Sequence, residues 1–249
     1  MRDIVYPPVV LTAKTAFRAL GLRFQLTGTE NVPRSGGAVL ALNHISYVDF
    51  ILGGFGARPS KRLVRFMAKE SLFRHKVSGP LMRAMHHIPV DRGAGAASYK
   101  EAVTYLRSGE LVGVFPEATI SRSFELKEFK NGAVRMAAEA GVPVIPVILW
   151  GTQRLYTKDH PRDLSRGKTI AISVGEPITV TAADDANQAT DQLRDTMTAM
   201  LDRTIKSYPA DEQPPGSWWL PASYGGSAPT PARAVELDAD EKARRGATS

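Results

Sequence analysis

A histidine and an aspartate stand five residues apart, at His44 and Asp49, directly after the short apolar run of residues 38–42. Ser46, three residues before Asp49, makes the segment resemble a capping box, a pattern that begins many helices. The spacing can bring the carboxylate to one imidazole nitrogen and leave the other facing a cleft. An imidazole oriented in this way is a competent general base for a hydroxyl. Taken alone, such a pair is more often two surface polar residues, so its place in the fold has to decide.

A second polar segment, residues 116–122, follows the apolar run of residues 111–115. This segment contains Glu117, Thr119 and Arg122. Carboxylate, hydroxyl and guanidinium groups of this kind can hold a phosphate or a polyol through charge-assisted bonds. The alternative is a polar loop with a helix cap, and this segment alone favours that alternative.

Strands and helices alternate along the chain. Apolar runs predict strands at residues 38–42, 63–68, 87–90, 111–115, 142–150 and 168–174. Helical spacing predicts helices at residues 8–20, 46–55, 71–85, 98–106, 130–140 and 186–205. This order predicts an α/β fold with a mainly parallel central sheet covered by helices on both faces. Chemistry in such sheets collects at the carboxyl ends of strands, where both polar segments stand.

Four ordered blocks resemble the glycerolipid acyltransferase family, specifically the 1-acylglycerol-3-phosphate acyltransferases. They are Asn43-His44-x-Ser46-x-x-Asp49, Ile88-Pro89-Val90-Asp91-Arg92, Phe115-Pro116-Glu117 and Gly141-Val142-Pro143-Val144-Ile145-Pro146-Val147. Gly28-x-Glu30-Asn31-x-Pro33 and Phe129-Lys130-x-Gly132 also fit, so the matches span residues 28–150.

The resemblance implies that His44 deprotonates the acceptor hydroxyl, that Asp49 orients it, and that the hydroxyl attacks an acyl thioester directly. The implied product is phosphatidic acid, made at the sn-2 hydroxyl of lysophosphatidic acid from acyl-coenzyme A or acyl carrier protein, without metal or cofactor. The substrate-binding residues that it implies are Glu117, Thr119, Arg122, Arg92, Lys130, Asn43 and Ser46.

The third block departs from the family pattern Glu-Gly-Thr-Arg, because this chain reads Glu117-Ala118-Thr119-Ile120. On an extended segment Arg122 shares a face with position 120 and could replace the missing arginine. Equally, the acceptor could be glycerol-3-phosphate, a glycolipid sugar or another lysolipid. A non-catalytic lipid-binding protein of the same ancestry is the alternative from a different class.

The 249-residue chain has no cysteine and a net charge of +7. The lack of cysteine excludes disulfides, zinc–thiolate sites and thiol nucleophiles. The basic excess predicts an anionic partner, and the sequence has no recognisable motif for reading nucleic acid. One run of cations suits an anionic bilayer, with a solvated positive face as the alternative: Arg58, Lys61, Arg62, Arg65, Lys69, Arg74 and Lys76.

The pattern predicts three parts: an amphipathic membrane-surface helix within residues 1–27, an acyltransferase domain at 28–208, and a Pro/Gly/Ala-rich arm at 209–249. Trp218 and Trp219 indicate that part of the arm docks. No stretch reaches the roughly 18 apolar residues of a spanning helix. We therefore expect peripheral attachment to the cytoplasmic face of the cell membrane, although the N-terminal helix could simply pack on the domain.

Overall fold

The computed structural model describes residues 3–91 and 95–246. The strands in this part of the chain are β1 Arg23–Thr27, β2 Ala38–Leu42, β3 Val64–Lys69, β4 Ile88–Val90, β5 Leu111–Val114, β6 Val144–Trp150 and β7 Thr169–Val174. The helices are α1 Tyr6–Ala19, α2 Asp49–Gly53, α3 Glu70–Arg74, α4 Ser78–Ala84, α5 Gly95–Arg107, α6 Gly132–Ala140, α7 Ala186–Ser207 and α8 Pro231–Gly246.

The strands form one seven-stranded sheet in the order β1-β7-β6-β2-β5-β3-β4. Strands β2 to β6 run parallel to one another, whereas β7 is antiparallel to β6 and β1 is parallel to β7. The prediction of an α/β fold with a mainly parallel sheet is therefore confirmed.

Successive side chains of the central strands point to opposite sides of the sheet, and each side is covered by its own apolar core. Val39 and Ala41 of β2 pack in one core together with Leu193 of α7. Leu40 of β2 packs in the other core, together with Leu52 of α2. Strands β2, β5 and β6 are buried at every position, which explains why their sequences are continuous apolar runs.

Besides α8, which the sequence does not predict, three elements differ from the sequence-based expectation. The mostly exposed edge strand β1 was not predicted, because it lacks the buried apolar run that marks the other strands. The helix expected at 71–85 is divided into α3 and α4 by His75, whose backbone is extended. The helix expected at 46–55 begins only at Asp49, and a short 3-10 helix, Gly54–Ala57, follows it.

The predicted run of cations does not form one surface, which corrects the sequence-based interpretation. Arg65 is 1% exposed and bonds Asp3 and Glu110. The guanidinium of Arg62 donates to main-chain carbonyl groups, including that of Pro33. The exposed members of the run are Arg58, Lys61, Lys69, Arg74 and Lys76. Within the described ranges, every helix is too short or too polar to cross a membrane.

The carboxyl ends of β2, β5 and β6 lie side by side. Ala41 is in register with Val114 of β5, and Leu42 is in register with Val147 of β6. The side chain of Asn43 extends the pairing of β2 with β6, because it donates to the carbonyl of Leu149 (3.0 Å) and accepts from its N–H (2.7 Å). The segments that follow these three strands therefore meet at one edge of the sheet.

Two glycines with left-handed backbones, Gly28 and Gly36, lie between β1 and β2. They allow a test of how closely the chain at Gly28 approaches the end of β7. Gly28 has φ +65°, and a Cβ there would lie 1.9 Å from the carbonyl oxygen of Val174, whereas Gly36 has φ +81° and open space around it. We expect Gly28→Ala to lower the free energy of unfolding more than Gly36→Ala. Both variants carry the left-handed backbone cost of about 1–2 kcal/mol, and only Gly28→Ala adds a steric cost of about 1–3 kcal/mol. Urea denaturation measures both, and equal losses would contradict the close approach.

Candidate active site

The predicted catalytic pair comes together in the loop between β2 and α2. Nδ1 of His44 lies 3.0 Å from Oδ2 of Asp49. Asp49 is the first residue of α2, and side chains on a helix tilt toward its N-terminus. Its carboxylate therefore faces the preceding loop, where the N–H groups of Ile45 and Ser46 each donate to Oδ2 at 2.7 Å. The hydroxyl of Thr152 donates to Oδ1 at 2.6 Å. These donors give the fully buried carboxylate one fixed position.

The geometry assigns different tasks to the two imidazole nitrogens of His44. An ionised carboxylate only accepts hydrogen bonds, so Nδ1 carries the proton that faces Asp49. Nε2 is then the nitrogen with a free lone pair, which a general base requires. The imidazole stacks on the ring of Phe115, with 4.2 Å between ring centroids, and its side chain is 21% exposed. The pair is thus oriented on its buried side and accessible on the other.

His44 lines a cavity of about 650 Å³ at the carboxyl edge of the sheet. Most of the lining is apolar, and it includes Tyr47, Phe50, Met67, Leu72, Met82, Phe115 and Met136. Lys69 and Lys130 are the cationic residues of the lining. An apolar cavity with a few polar groups is typical of a small-molecule site. This one suits an amphiphile with an apolar chain and an anionic group.

The second polar segment is bonded directly to the main chain of His44. The N–H of His44 donates to Oε1 of Glu117 at 2.8 Å, and the N–H of Ser121 donates to the carbonyl of His44 at 2.7 Å. Oε2 of Glu117 accepts from the N–H of Lys127 at 3.1 Å. Glu117 is 5% exposed, so its carboxyl group holds the histidine loop from below the cavity surface.

The environment of Glu117 favours its protonated form. Burial raises the pKa of this carboxyl group to about 8, while the N–H bonds from His44 and Lys127 act to lower the pKa. The negative charge of Asp49 adds to the increase.

Some of the other predicted site residues support the main chain. Ser46 is buried, and its hydroxyl donates to the carbonyl of Tyr156 at 2.6 Å. Asn43 is buried against β6, as described above. Lys130 is the predicted substrate-binding residue, among those that the structure describes, that lines the cavity. Arg92 lies outside the described residues.

The departure from the family pattern has a structural counterpart. Ala118, at the position of the family's glycine, adopts a left-handed backbone with φ +60°. Ile120, at the position of the arginine, is buried. The side chains of Thr119 and Arg122 point away to an ion-pair cluster with the C-terminal helix α8, where Thr119 accepts from Lys127 and Arg122 pairs with Asp159 and two acids of α8.

The segment that follows β6 contributes residues that the sequence reasoning missed. Thr152 bonds Asp49, and the hydroxyl of Thr157 donates to the carbonyl of Ile45 at 2.7 Å. The signal that could have found them is the one that found His44 and Glu117, namely polar residues after a buried strand.

Comparisons with known proteins agree on one class of enzyme. A protein-family model described as Acyltransferase matches residues 23–150. The 1-acyl-sn-glycerol-3-phosphate acyltransferase of Bacillus subtilis (strain 168) is 33% identical over 178 residues, which are 71% of this chain and 83% of that protein. The 1-acyl-sn-glycerol-3-phosphate acyltransferase alpha of Homo sapiens is 28% identical over 181 residues, 71% of this chain and 63% of that protein.

A solved structure shows the same fold. The crystal structure of the 1-acyl-sn-glycerophosphate acyltransferase of Thermotoga maritima aligns with a TM-score of 0.67 and 23% identity, covering 82% of this chain and 80% of that one.

The raised pKa of Glu117 predicts a pH dependence of stability. The folded chain holds this proton up to about pH 8, whereas the unfolded group loses it near 4.5, so the stabilisation is complete below pH 4.5 and is lost as pH rises to about 8. We expect the difference in unfolding free energy between wild type and Glu117→Gln to fall with pH in this window, by up to about 1.4 kcal/mol per pH unit.

Urea denaturation between pH 5 and about pH 8 measures this slope. The matched control is Glu128→Gln, an exposed glutamate of the same loop between β5 and α6, which should leave the slope unchanged. If the difference in unfolding free energy between wild type and Glu117→Gln grew with pH, the N–H groups of His44 and Lys127 would favour the ionised carboxylate instead.

Proposed function

Because this chain belongs to the Acyltransferase family and is an acyltransferase, we propose that it transfers a fatty acyl group to the sn-2 hydroxyl of 1-acyl-glycerol-3-phosphate, which yields phosphatidic acid. The donor in this proposal is the thioester of coenzyme A or of acyl carrier protein. The observation that carries the proposal is the His44–Asp49 pair, at 3.0 Å, with His44 on the wall of an apolar cavity and Asp49 buried behind it. The relatives from Bacillus subtilis and Homo sapiens, which are 1-acyl-sn-glycerol-3-phosphate acyltransferases by name, support this acceptor.

The chemistry follows from the geometry of the pair. Nε2 of His44 takes the proton of the acceptor hydroxyl while its oxygen attacks the thioester carbonyl carbon. Asp49 stabilises the imidazolium that forms and keeps the ring in place. The tetrahedral intermediate then breaks its C–S bond, and the departing thiolate takes the proton from the imidazolium. Histidine thus ends in its starting state, and the proposed reaction needs neither a metal nor a cofactor, because the thioester already carries an activated acyl group.

The cavity explains why the acceptor should be an anionic lipid. Its apolar lining can cover an acyl chain, and Lys69 and Lys130 can face a phosphate group from its wall. Ile120, at the position of the family's arginine, is the observation that favours the second candidate, which is the same transfer to another acceptor such as glycerol-3-phosphate, a glycolipid or a different lysolipid. The intact catalytic pair argues against a purely lipid-binding protein.

We further propose that the enzyme works as a peripheral protein on an anionic membrane, at the cytoplasmic face. A groove between α1 and the segment from α2 to the start of β3 supports this orientation, because the exposed apolar side chains of Leu11 and Ile51 lie on it beside Lys14, Arg58 and Lys61. Apolar residues next to cations are favoured at the surface of anionic bilayers.

Replacement of the base tests the mechanism. We expect His44→Ala to lower kcat by about 100- to 10,000-fold, the usual contribution of a positioned general base. Release of free thiol from acyl-coenzyme A in the presence of acceptor measures the rate. His86→Asn is the control, because it replaces a histidine outside the cavity lining with a residue that tolerates its φ of +56°. Activity of His44→Ala within a few-fold of wild type would rule out this mechanism.

A panel of acceptors tests the substrate. We expect kcat/KM to be highest for 1-acyl-glycerol-3-phosphate when glycerol-3-phosphate, lysophosphatidylcholine and monoacylglycerol are offered with one thioester. Glycerol-3-phosphate lacks the acyl chain that the cavity is proposed to cover. Lysophosphatidylcholine and monoacylglycerol lack the phosphate monoester. A higher kcat/KM for any of the three would replace the proposed acceptor, while His44→Ala gives the background rate for each.

A further inference from the structure

A single 3-10 turn, Thr152–Arg154, lies between the His44–Asp49 pair and the C-terminal arm that begins at residue 209. The turn follows the buried strand β6. A 3-10 helix has three residues per turn, so its successive side chains point in three directions. Thr152 points to Asp49, whereas Gln153 and Arg154 point to the arm. We call Thr152–Arg154 the β6 turn.

The bond from the β6 turn holds one oxygen of Asp49. The other oxygen, Oδ2, accepts from two main-chain N–H groups and faces Nδ1 of His44. Oδ1 accepts from the hydroxyl of Thr152 alone among the described residues. Because Thr152 is fully buried, its hydroxyl stays on Oδ1 only if the main chain of the turn stays in place. The orientation of Asp49 therefore depends on what holds the β6 turn.

The arm holds the β6 turn through the other two side chains of the turn. Nε2 of Gln153 donates to the carbonyl of Trp219 at 3.2 Å. The guanidinium of Arg154 bonds Oε2 of Glu212 at 2.5 Å and lies over the ring of Trp219, with 4.6 Å between Cζ and the ring centroid. Trp219 is buried, and the side chain of Glu212 is 9% exposed. Charge-assisted bonds that are shielded from water in this way fix the geometry of their partners.

The same carboxylate of the arm also bonds the strand against which the β6 turn rests. Gly151, with φ +88°, approaches β7 so closely that a Cβ would lie 2.3 Å from the carbonyl oxygen of Thr169. The N–H of Thr169 donates to Oε2 of Glu212 at 3.1 Å. Glu212 thus bonds both the turn, at Arg154, and the first residue of β7, so these two segments keep one relative position.

We propose that Gln153 and Arg154 are positioning residues for the proposed acyl transfer: they anchor the β6 turn to the arm, and the anchored turn keeps Thr152 on Asp49 and the imidazole of His44 in its reactive orientation. The inference rests on the proposed function for the reaction that it serves. Of the described residues, the cavity lining includes neither Gln153 nor Arg154. A misplacement of about 1 Å at a reacting group can lower a rate about 100-fold, so release of the turn lowers kcat without the loss of a substrate contact.

Two arginines on the same carboxylate provide a matched comparison. Arg154 and Arg23 both bond Glu212, but only Arg154 belongs to the β6 turn. We expect Arg154→Met to lower kcat about tenfold at unchanged KM for both substrates, and Arg23→Met to change neither constant. Release of thiol from acyl-coenzyme A with 1-acyl-glycerol-3-phosphate as acceptor measures both constants, and urea denaturation verifies that each variant is folded. Equal effects of the two replacements on kcat, or a rise in KM in place of the fall in kcat, would overturn the proposal.

A double-mutant cycle separates positioning from stability. If Arg154 acts through Thr152, Arg154→Met should change kcat by less than about twofold in a Thr152→Val background, because the bond that it protects is already gone. Thr152→Ser, which retains the hydroxyl, should keep most of the wild-type kcat. The same loss of kcat from Arg154→Met in both backgrounds would make Arg154 a residue of fold stability alone, against the proposal.

The imidazole of His44 gives a readout without substrates. A ring N–H that donates to a buried carboxylate forms a charge-assisted bond, and its proton resonates downfield of the main-chain amides. We expect this proton resonance in wild type and in Arg23→Met, and its absence from His44→Ala assigns it. Exchange with water should broaden it in Arg154→Met and in Thr152→Val. An unchanged resonance in Arg154→Met would overturn the proposal.

The outcomes distinguish this inference from the proposed function. A His44 resonance that depends on Arg154, in a protein that does not acylate 1-acyl-glycerol-3-phosphate, would keep the positioning role and reject the acceptor. Acyl transfer that Arg154→Met leaves unchanged would keep the acceptor and reject the positioning role. If Thr152→Val does not fold, the comparison of Arg154→Met with Arg23→Met decides.

Discussion

The buried carboxylate of Asp49 is the interaction on which the rest of the site depends. Its oxygens bond His44, the main chain of the loop after β2, and Thr152 after β6. A buried charge is tolerated only when it is fully paired, so these segments must be assembled together. The orientation of the His44 ring is therefore a property of the whole carboxyl edge of the sheet, and Glu117 bonds the main chain of the same loop from its other side.

Local patterns were enough to predict the sheet and the close approach of His44 to Asp49. Buried parallel strands read as apolar runs, and the carboxyl end of such a strand is where His44 stands. Thr152 was missed because its contact with Asp49 joins residues 103 positions apart. That contact depends on β2 lying next to β6, and a strand order of this kind has no local signal.

The same limit explains why the sequence did not predict the partners of Arg122 or the helix in the C-terminal arm. The sequence reasoning assigned Arg122 to a phosphate because a guanidinium at a strand end suits one. In the structure the carboxylates of Asp238 and Glu241, more than a hundred residues further along, take those bonds. The arm was expected to dock through its tryptophans, and Trp219 is indeed buried, but the composition of the arm did not predict the helix that ends it.

The side-chain amide of Asn43 has a consequence for how such sequences are compared. It takes the place of a main-chain pair between β2 and β6, because it donates one hydrogen bond to the carbonyl of Leu149 and accepts another from the N–H of Leu149. An aspartate of nearly equal size could not donate to that carbonyl oxygen and would repel it. The residue before His44 thus serves the pairing of β2 with β6, so in a sequence comparison this asparagine is a marker of architecture, whereas His44 and Asp49 are the residues of the proposed chemistry.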